Sequence, residues 1–216
     1  MTAVTGLLVM DVDSTLIQEE VIDLLGEAAG VGEQVARITE RAMRGELEFK
    51  EALYARVALL KGLPQSIFEE VLDKVHVTKG AHELIDRLKH EGYKIGVVSG
   101  GFHETVDSIA SQLGIDYVMA NRLEIKDGFL TGQVLGEIIT KETKKECLLH
   151  WARENQLAIS QTVAVGDGAN DLPMIQTAGI GIAFNAKPVV RKAAPYQINE
   201  YDLYQVWHLI QSVKRK

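Results

Sequence analysis

Five short apolar runs constrain most strongly how this chain can fold: GLLVMDV (6–12), YKIGVVS (93–99), DYVMA (116–120), QTVAVGD (161–167) and GIGIAF (179–184). They are apolar along their length and bounded by Gly, Asp or Asn, which is the pattern of strands buried on both faces. The segments between them have helical spacing. AHELIDRLKHEG (81–92) ends at a glycine, and ETKKECLLHWARENQ (142–156) repeats the pattern. Strands alternating with helices predict an α/β fold built on a doubly wound, mainly parallel sheet.

Two regions break the alternation. From about Glu19 to Lys74 only helical patterns occur, in VIDLLGEAAG (21–30), VGEQVARITERAMRG (31–45) and FKEALYARVALLKG (49–62), with Pro64 suited to the first turn of a fourth helix. Such an insertion reads as a helical cap over the edge where the first strand ends. It divides the chain into an α/β core of residues 1–16 and 76–216 and a cap of residues 17–75. In NRLEIKDGFLTGQV (121–134), Asp127-Gly128 between alternating segments predicts a β-hairpin. The C-terminal DLYQVWHLIQSVKRK reads as an amphipathic helix with a basic end.

Composition narrows the classes of function. The net charge of −7 disfavours long nucleic acids as partners. The lone Cys147 allows no internal disulfide and fits a reducing compartment. No apolar run approaches the ~18 residues of a membrane-spanning helix. The first apolar run lacks the basic flank of a signal peptide. A cytoplasmic protein without nucleic-acid or membrane partners is the expectation, and whether it is a monomer or homodimer is left open by the sequence.

The chemistry collects at strand ends. Asp11 and Asp13 are two apart, so on an extended strand both carboxylates face one side and Val12 the other. Alone, the pair also fits a strand-end turn with a helix cap. In VVSGGFHE (97–104), a strand runs into Ser99-Gly100-Gly101 and then a helix, a turn whose amides and hydroxyl suit an anion. In AVGDGANDLPM (164–174), Asp167, Asn170 and Asp171 gather oxygen donors of the kind Mg²⁺ takes, although capping alone would use the same residues. Lys144, with Lys141 and Lys145, reads by itself as a solvated lysine near a helix start. Ligands of open α/β sheets bind beyond the carboxyl ends of the strands, and these features share that edge. Carboxylates repel phosphate, so a divalent cation is needed to join the two. Mg²⁺-dependent phosphoryl transfer is the chemistry that unites them.

DVDST, SGG, Lys144 and GDGAND, in that order, resemble the haloacid dehalogenase superfamily of phosphohydrolases, whose fold is Rossmann-like and whose cap follows the first motif. EEVIDLLGEAAG, AMRGELEF, ARVALLKGLP, VSGGF, ANRL and GDGANDLPM are similar to the branch of that superfamily that hydrolyses phosphoserine, the last step of serine biosynthesis. The resemblance implies Asp11 as nucleophile and Asp13 as the acid, then base, of the reaction. It implies Mg²⁺ held by Asp11, the backbone carbonyl of Asp13, and Asp167, with Asp171 in support. Ser99, Gly100 and Lys144 would hold phosphate oxygens, with Asn170 ordering the same region.

The same resemblance puts Glu20 on the substrate's amino group and Arg56 on its carboxylate, with Met43 and Phe49 as an apolar wall. Read from the residues alone, Glu20 and Arg56 would be solvated helix faces and Met43 and Phe49 core. Glu19 competes with Glu20, whose distance from Asp13 suits the role better. Met10 and Val12 replace phenylalanines common in the family, a change expected to alter packing and not chemistry. His76 stands where the family often has proline, which implies a looser hinge. A phosphatase or phosphotransferase for another small monophosphate, such as phosphohomoserine, is the alternative within the fold. A signalling module carrying an aspartyl-phosphate is the alternative from another class.

Overall fold

The computed structural model describes residues 4–215. The strands are β1 (Gly6–Met10), β2 (Tyr93–Phe102), β3 (Tyr117–Lys126), β4 (Phe129–Leu135), β5 (Thr162–Gly166), β6 (Ile180–Phe184) and β7 (Tyr196–Ile198). They form one seven-stranded sheet in the order β4-β3-β2-β1-β5-β6-β7. Every neighbouring pair is parallel except the β3–β4 hairpin. The chain builds outward from β1 to β2 and β3, then crosses to β5 on the other side. The carboxyl end of β1 is therefore the switch point at which α/β sheets bind ligands.

Every residue of β1, β5 and β6 is buried. Side chains of β1 alternate between two apolar layers, Leu8 and Met10 in one and Leu7 and Val9 in the other. The first layer holds α5 (Ala81–His90) through Leu84, Ile85 and Leu88, α6 (His103–Leu113) through Val106 and Ile109, and α10 (Tyr204–Lys214) through Val206 and Ile210. The second holds α7 (Lys141–Glu154) through Cys147, Leu148 and Trp151, α8 (Leu172–Thr177) through Met174 and Ile175, and α9 (Pro188–Ala193) through Val190. With helices on both faces, the sheet is doubly wound. Truncating a side chain such as Leu8 to Ala would cost about 2–5 kcal/mol.

The helical insertion comprises α1 (Val21–Ala28), α2 (Gly32–Met43), α3 (Phe49–Ala58) and α4 (Ile67–Leu72). Its apolar residues, including Leu25, Val35, Leu53 and Val71, are continuous with the first layer of the core. The outgoing and returning segments run side by side: Ile17 bridges Val77, Gln18 N–H donates to His76 O (2.9 Å), and Thr78 N–H donates to Leu16 O (2.9 Å). His76 does not stand loose here. Its backbone N–H and Nδ1 lie 2.9 and 2.7 Å from the two oxygens of Glu19.

Pro64 is not in the first turn of α4, which begins at Ile67. It lies in an isolated bridge to Phe129, where Leu130 N–H donates to Leu63 O (2.9 Å) and Gln65 N–H donates to Gly128 O (2.9 Å). Lacking an N–H, Pro64 can join that edge without leaving a donor unpaired. The hairpin arm is thus fastened to the insertion. Its turn has Asp127 and Gly128 both at positive φ, 52° and 81°, as a two-residue type I′ connection requires. Among the described residues, no helix is long and apolar enough to cross a membrane.

Candidate active site

Strand β1 stops at Met10, and the next residues turn instead of extending the strand. Asp11 and Asp13 keep extended backbone, whereas Ser14 has φ 56°, a left-handed conformation costly for a residue other than glycine. That conformation is held from the insertion: Ser14 N–H donates to Glu19 O (3.2 Å), and its hydroxyl donates to Glu20 Oε1 (2.8 Å). Asp13 Oδ1 accepts from Val21 N–H at 3.2 Å, the first residue of α1. The turn is therefore tied directly to the start of the cap.

The second element differs from expectation. Ser99, Gly100 and Gly101 belong to β2, which continues to Phe102, and α6 begins only at His103. The register between β2 and β3 breaks between Val98 and Phe102, which bends this end of the strand. Ser99 Oγ accepts from Gly101 N–H (2.8 Å) and lies 3.5 Å from Asp13 Oδ2. A Cβ at Gly101 would sit 2.9 Å from Asp13 Oδ2, so glycine allows this approach. Asn121, whose role sequence reasoning missed, braces the segment from β3: its amide donates to Gly100 O (2.7 Å) and accepts from Ile139 N–H (2.9 Å).

The third element follows β5. Asp167 Oδ1 accepts from the Thr15 hydroxyl at 3.2 Å. Asp171 is fully buried, with Oδ2 accepting from Gly168 N–H (3.0 Å) and Oδ1 2.7 Å from Lys144 Nζ. A Cβ on Gly166 would lie 2.5 Å from the Asp171 carboxylate, so glycine makes room for it. Lys144, in the first turns of α7, reaches under the sheet edge. Its Nζ is 2.7 Å from Asp11 Oδ2 as well as from Asp171.

A cleft of about 360 Å³ opens above these elements. Asp11, Asp13, Glu20, Met43, Phe49, Arg56, Gly100, Asp167 and Asn170 line it, with Thr39, Gly101 and Lys187 besides. Ser99 and Lys144 are fully buried and do not line it. Met43 and Phe49 are no part of the apolar core: they are 73% and 42% exposed and face the cleft from the cap. The Phe49 ring reaches the core, since a Cβ on Gly100 would lie 3.6 Å from its Cζ. Glu19 is engaged with His76 where the outgoing and returning segments pair, which leaves Glu20 as the acidic residue of the two lining the cleft.

The electrostatics are dominated by burial. It pushes the Asp11 carboxyl well above the usual range, with Asp171 adding to the rise. Burial, then Glu20, moves Asp13 up to about 7. Burial, then Asp171, moves Asp167 to about 6. For Lys144, burial would favour the neutral amine, but Asp11 and Asp171 outweigh it and raise its pKa.

Asp11, Asp167 and Asp171 each offer one carboxylate oxygen within 4.8 Å of the others. Once ionised, three carboxylates against the Lys144 ammonium leave two negative charges, which suits a divalent cation with hard oxygen ligands. Both Asp171 oxygens are already engaged, whereas Asp167 has only one bonded in the described contacts.

Comparison with known proteins agrees with this geometry. The family of haloacid dehalogenase-like hydrolases matches residues 8–176. A phosphoserine phosphatase of Streptococcus thermophilus is 67% identical over 213 residues, covering 99% of each chain. One from Lactococcus lactis is 56% identical over 214 residues, again covering 99% of each. A solved phospho-aspartyl intermediate analogue of a phosphoserine phosphatase superposes with a TM-score of 0.89 at 44% identity, covering 95% of this chain and 99% of the other. With an acidic pair at the end of β1, a helical insertion after it and this degree of likeness along its length, the chain belongs to the haloacid dehalogenase superfamily and, within it, to the phosphoserine phosphatase family.

Proposed function

We propose that the chain hydrolyses O-phospho-L-serine to L-serine and phosphate through an aspartyl-phosphate, the last step of serine biosynthesis. The observation that carries this reading is the pairing of Asp11 and Asp13 in a cleft that also presents Arg56 and Glu20. An Asp11 oxygen attacks phosphorus, and the bond to the serine oxygen breaks as Asp13 gives that oxygen a proton. Asp13 then takes a proton from water, whose oxygen attacks the same phosphorus. The Asp11–phosphorus bond breaks, releasing phosphate and restoring the carboxylate. A carboxyl that titrates at about 7 is suited to both transfers near neutrality.

Mg²⁺ is the proposed cofactor; Asp11, Asp167 and the backbone carbonyl of Asp13 would hold it, with Asp171 fixing their surroundings. When bound, it neutralises charge between these carboxylates and the phosphate. Ser99, Gly100 and Lys144 hold phosphate oxygens, with Asn170 ordering the same region. Lys144 also orients the Asp11 carboxylate through its 2.7 Å contact and favours its ionised form against the effect of burial. Arg56 takes the substrate carboxylate, which its planar fork fits, and Glu20 takes the ammonium. Met43 and Phe49 exclude water.

The paired segments around Ile17 and Val77 support a division into a core of residues 1–16 and 76–216 and a cap of 17–75. Charge and the lone cysteine support a cytoplasmic enzyme; it is proposed to act as a monomer or homodimer on a small-molecule partner.

The test is phosphate release, measured over a panel of phosphorylated metabolites with Mg²⁺. Phosphoserine is expected to turn over fastest, and Asp11→Asn to abolish turnover with the fold intact. Preference for phosphohomoserine or another monophosphate would replace the substrate. Release of no more than about one phosphate per chain would indicate a switch instead of an enzyme.

A further inference from the structure

The Arg56 guanidinium is held by the cap in a way that draws in a second residue. From α3 its side chain crosses to α2, where Nη1 donates to Thr39 Oγ1 at 3.3 Å, while Nε donates to Ala52 O at 3.2 Å. Two of the five N–H groups are thereby fixed, and three remain for a ligand. Among the described residues, no carboxylate oxygen comes within 4.0 Å of the Arg56 nitrogens. A half-buried cation lining a cleft without such a partner is suited to an anion brought in from solution. Burial lowers its pKa against the opposing pull of Asp23, Glu20 and Asp13, none of which is in contact with it.

Thr39 itself behaves unusually for a threonine within a helix. Such hydroxyls commonly donate to the carbonyl four residues back. Thr177 does so, to Pro173 O at 2.6 Å. Among the described residues Thr39 makes no such bond, and its oxygen accepts from Arg56 instead. The hydroxyl proton is left free at a residue that lines the cleft.

We propose that Thr39 is a specificity residue for the substrate's carboxylate: its oxygen orients the Arg56 fork, and its proton is donated to a carboxylate oxygen. This rests on the phosphoserine reading and deepens it, making the carboxylate subsite a joint product of α2 and α3.

The test uses Thr39→Val, which keeps the shape and removes the hydroxyl, with Thr39→Ser as rescue. Three substrates are compared: phosphoserine, phosphoethanolamine (the same skeleton without the carboxylate) and an aryl phosphate. Thr39→Val should lower kcat/KM for phosphoserine about tenfold, mainly through KM, the scale expected for one hydrogen bond to a charged group. Both other substrates should change less than about twofold, and Thr39→Ser should restore most of the loss. Unchanged phosphoserine kinetics, or equal losses on all three substrates, would overturn the proposal. A wild-type enzyme preferring phosphoserine alongside an indifferent Thr39→Val would sink the Thr39 role alone. A wild type that treats phosphoserine and phosphoethanolamine alike would sink the substrate reading and this subsite together.

Discussion

Lys144 Nζ stands 2.7 Å from Asp11 Oδ2, an ion pair between side chains only 1% and 8% exposed. A second bond of the same length to Asp171 makes the ammonium a bridge between two buried carboxylates. The lysine therefore supports the carboxylate proposed as nucleophile. The phosphate contact proposed for Lys144 would be made from this buried position beside Asp11.

Lys144→Ala should consequently damage the fold as well as the chemistry. Removing one partner of a buried pair costs about 3–5 kcal/mol, because the remaining charges are left without compensation. For a chain of this size that corresponds to a Tm lowered by about 10 °C. Calorimetry on metal-free protein would measure it. Phosphoserine and an aryl phosphate should lose activity alike, since Asp11 serves both. An unchanged Tm would mean the bridge contributes little.

Asp13 can be tested through the leaving group. An alkoxide needs a proton to depart and a nitrophenolate does not. Asp13→Asn should slow single-turnover phosphorylation by phosphoserine by about 10²–10⁴-fold, the usual contribution of a general acid. Phosphorylation by nitrophenyl phosphate should suffer far less. Equal losses on both would take Asp13 out of the acid role.

What was legible in the sequence was what leaves a local pattern. Short apolar runs ending in Asp11, Asp13 and Asp167 gave both the sheet and its reactive edge, because parallel strands carry their ligands at one end. Asp127-Gly128 announced its turn through residues that tolerate positive φ. Contacts between distant segments carry no such signal. Lys144 is 27 residues from Asp171, and Asn121 braces Gly100 from 21 residues away. The Thr39 bond to Arg56 looks, in sequence, like two polar residues on separate helix faces. The three-residue β7 and the six-residue α9 are too short to show a period. Pro64 misled for a related reason: its partner, Phe129, belongs to a hairpin far along the chain.

Arg56→Ala tests substrate choice. Losing one member of a buried, charged contact costs about 2–5 kcal/mol of binding or transition-state stabilisation, partly because the substrate's charge is left unpaired. kcat/KM for phosphoserine should fall by about two orders of magnitude or more, while an aryl phosphate, which has no such carboxylate, should change little. Parallel kinetic series on one preparation would decide it. Losses on both substrates, in the manner expected of Lys144→Ala, would leave a phosphatase whose carboxylate subsite lies elsewhere.

The raised carboxyl groups also connect the metal to stability. Asp167 titrates at about 6 and Asp13 at about 7, with burial the main cause in both, and Asp11 is raised as well. In an unfolded chain such groups titrate at about 3.9. Between about pH 4 and pH 7 the metal-free folded state therefore binds more protons than the unfolded state. Its stability from these groups is full below that window and is lost as pH rises through it. A cation held by Asp11 and Asp167 needs them ionised, so its stabilisation should grow over the same range. At a hundredfold excess over Kd it would amount to about 2.7 kcal/mol. Thermal melts of chelator-treated and Mg²⁺-loaded protein at about pH 5 and about pH 8 would measure this. The gap between the two curves should widen towards the higher pH, and their difference removes groups that titrate alike in both. Asp167→Asn should narrow the gap at high pH, because an amide is a weaker ligand without charge. A gap that stays constant across the range would place the cation on other ligands.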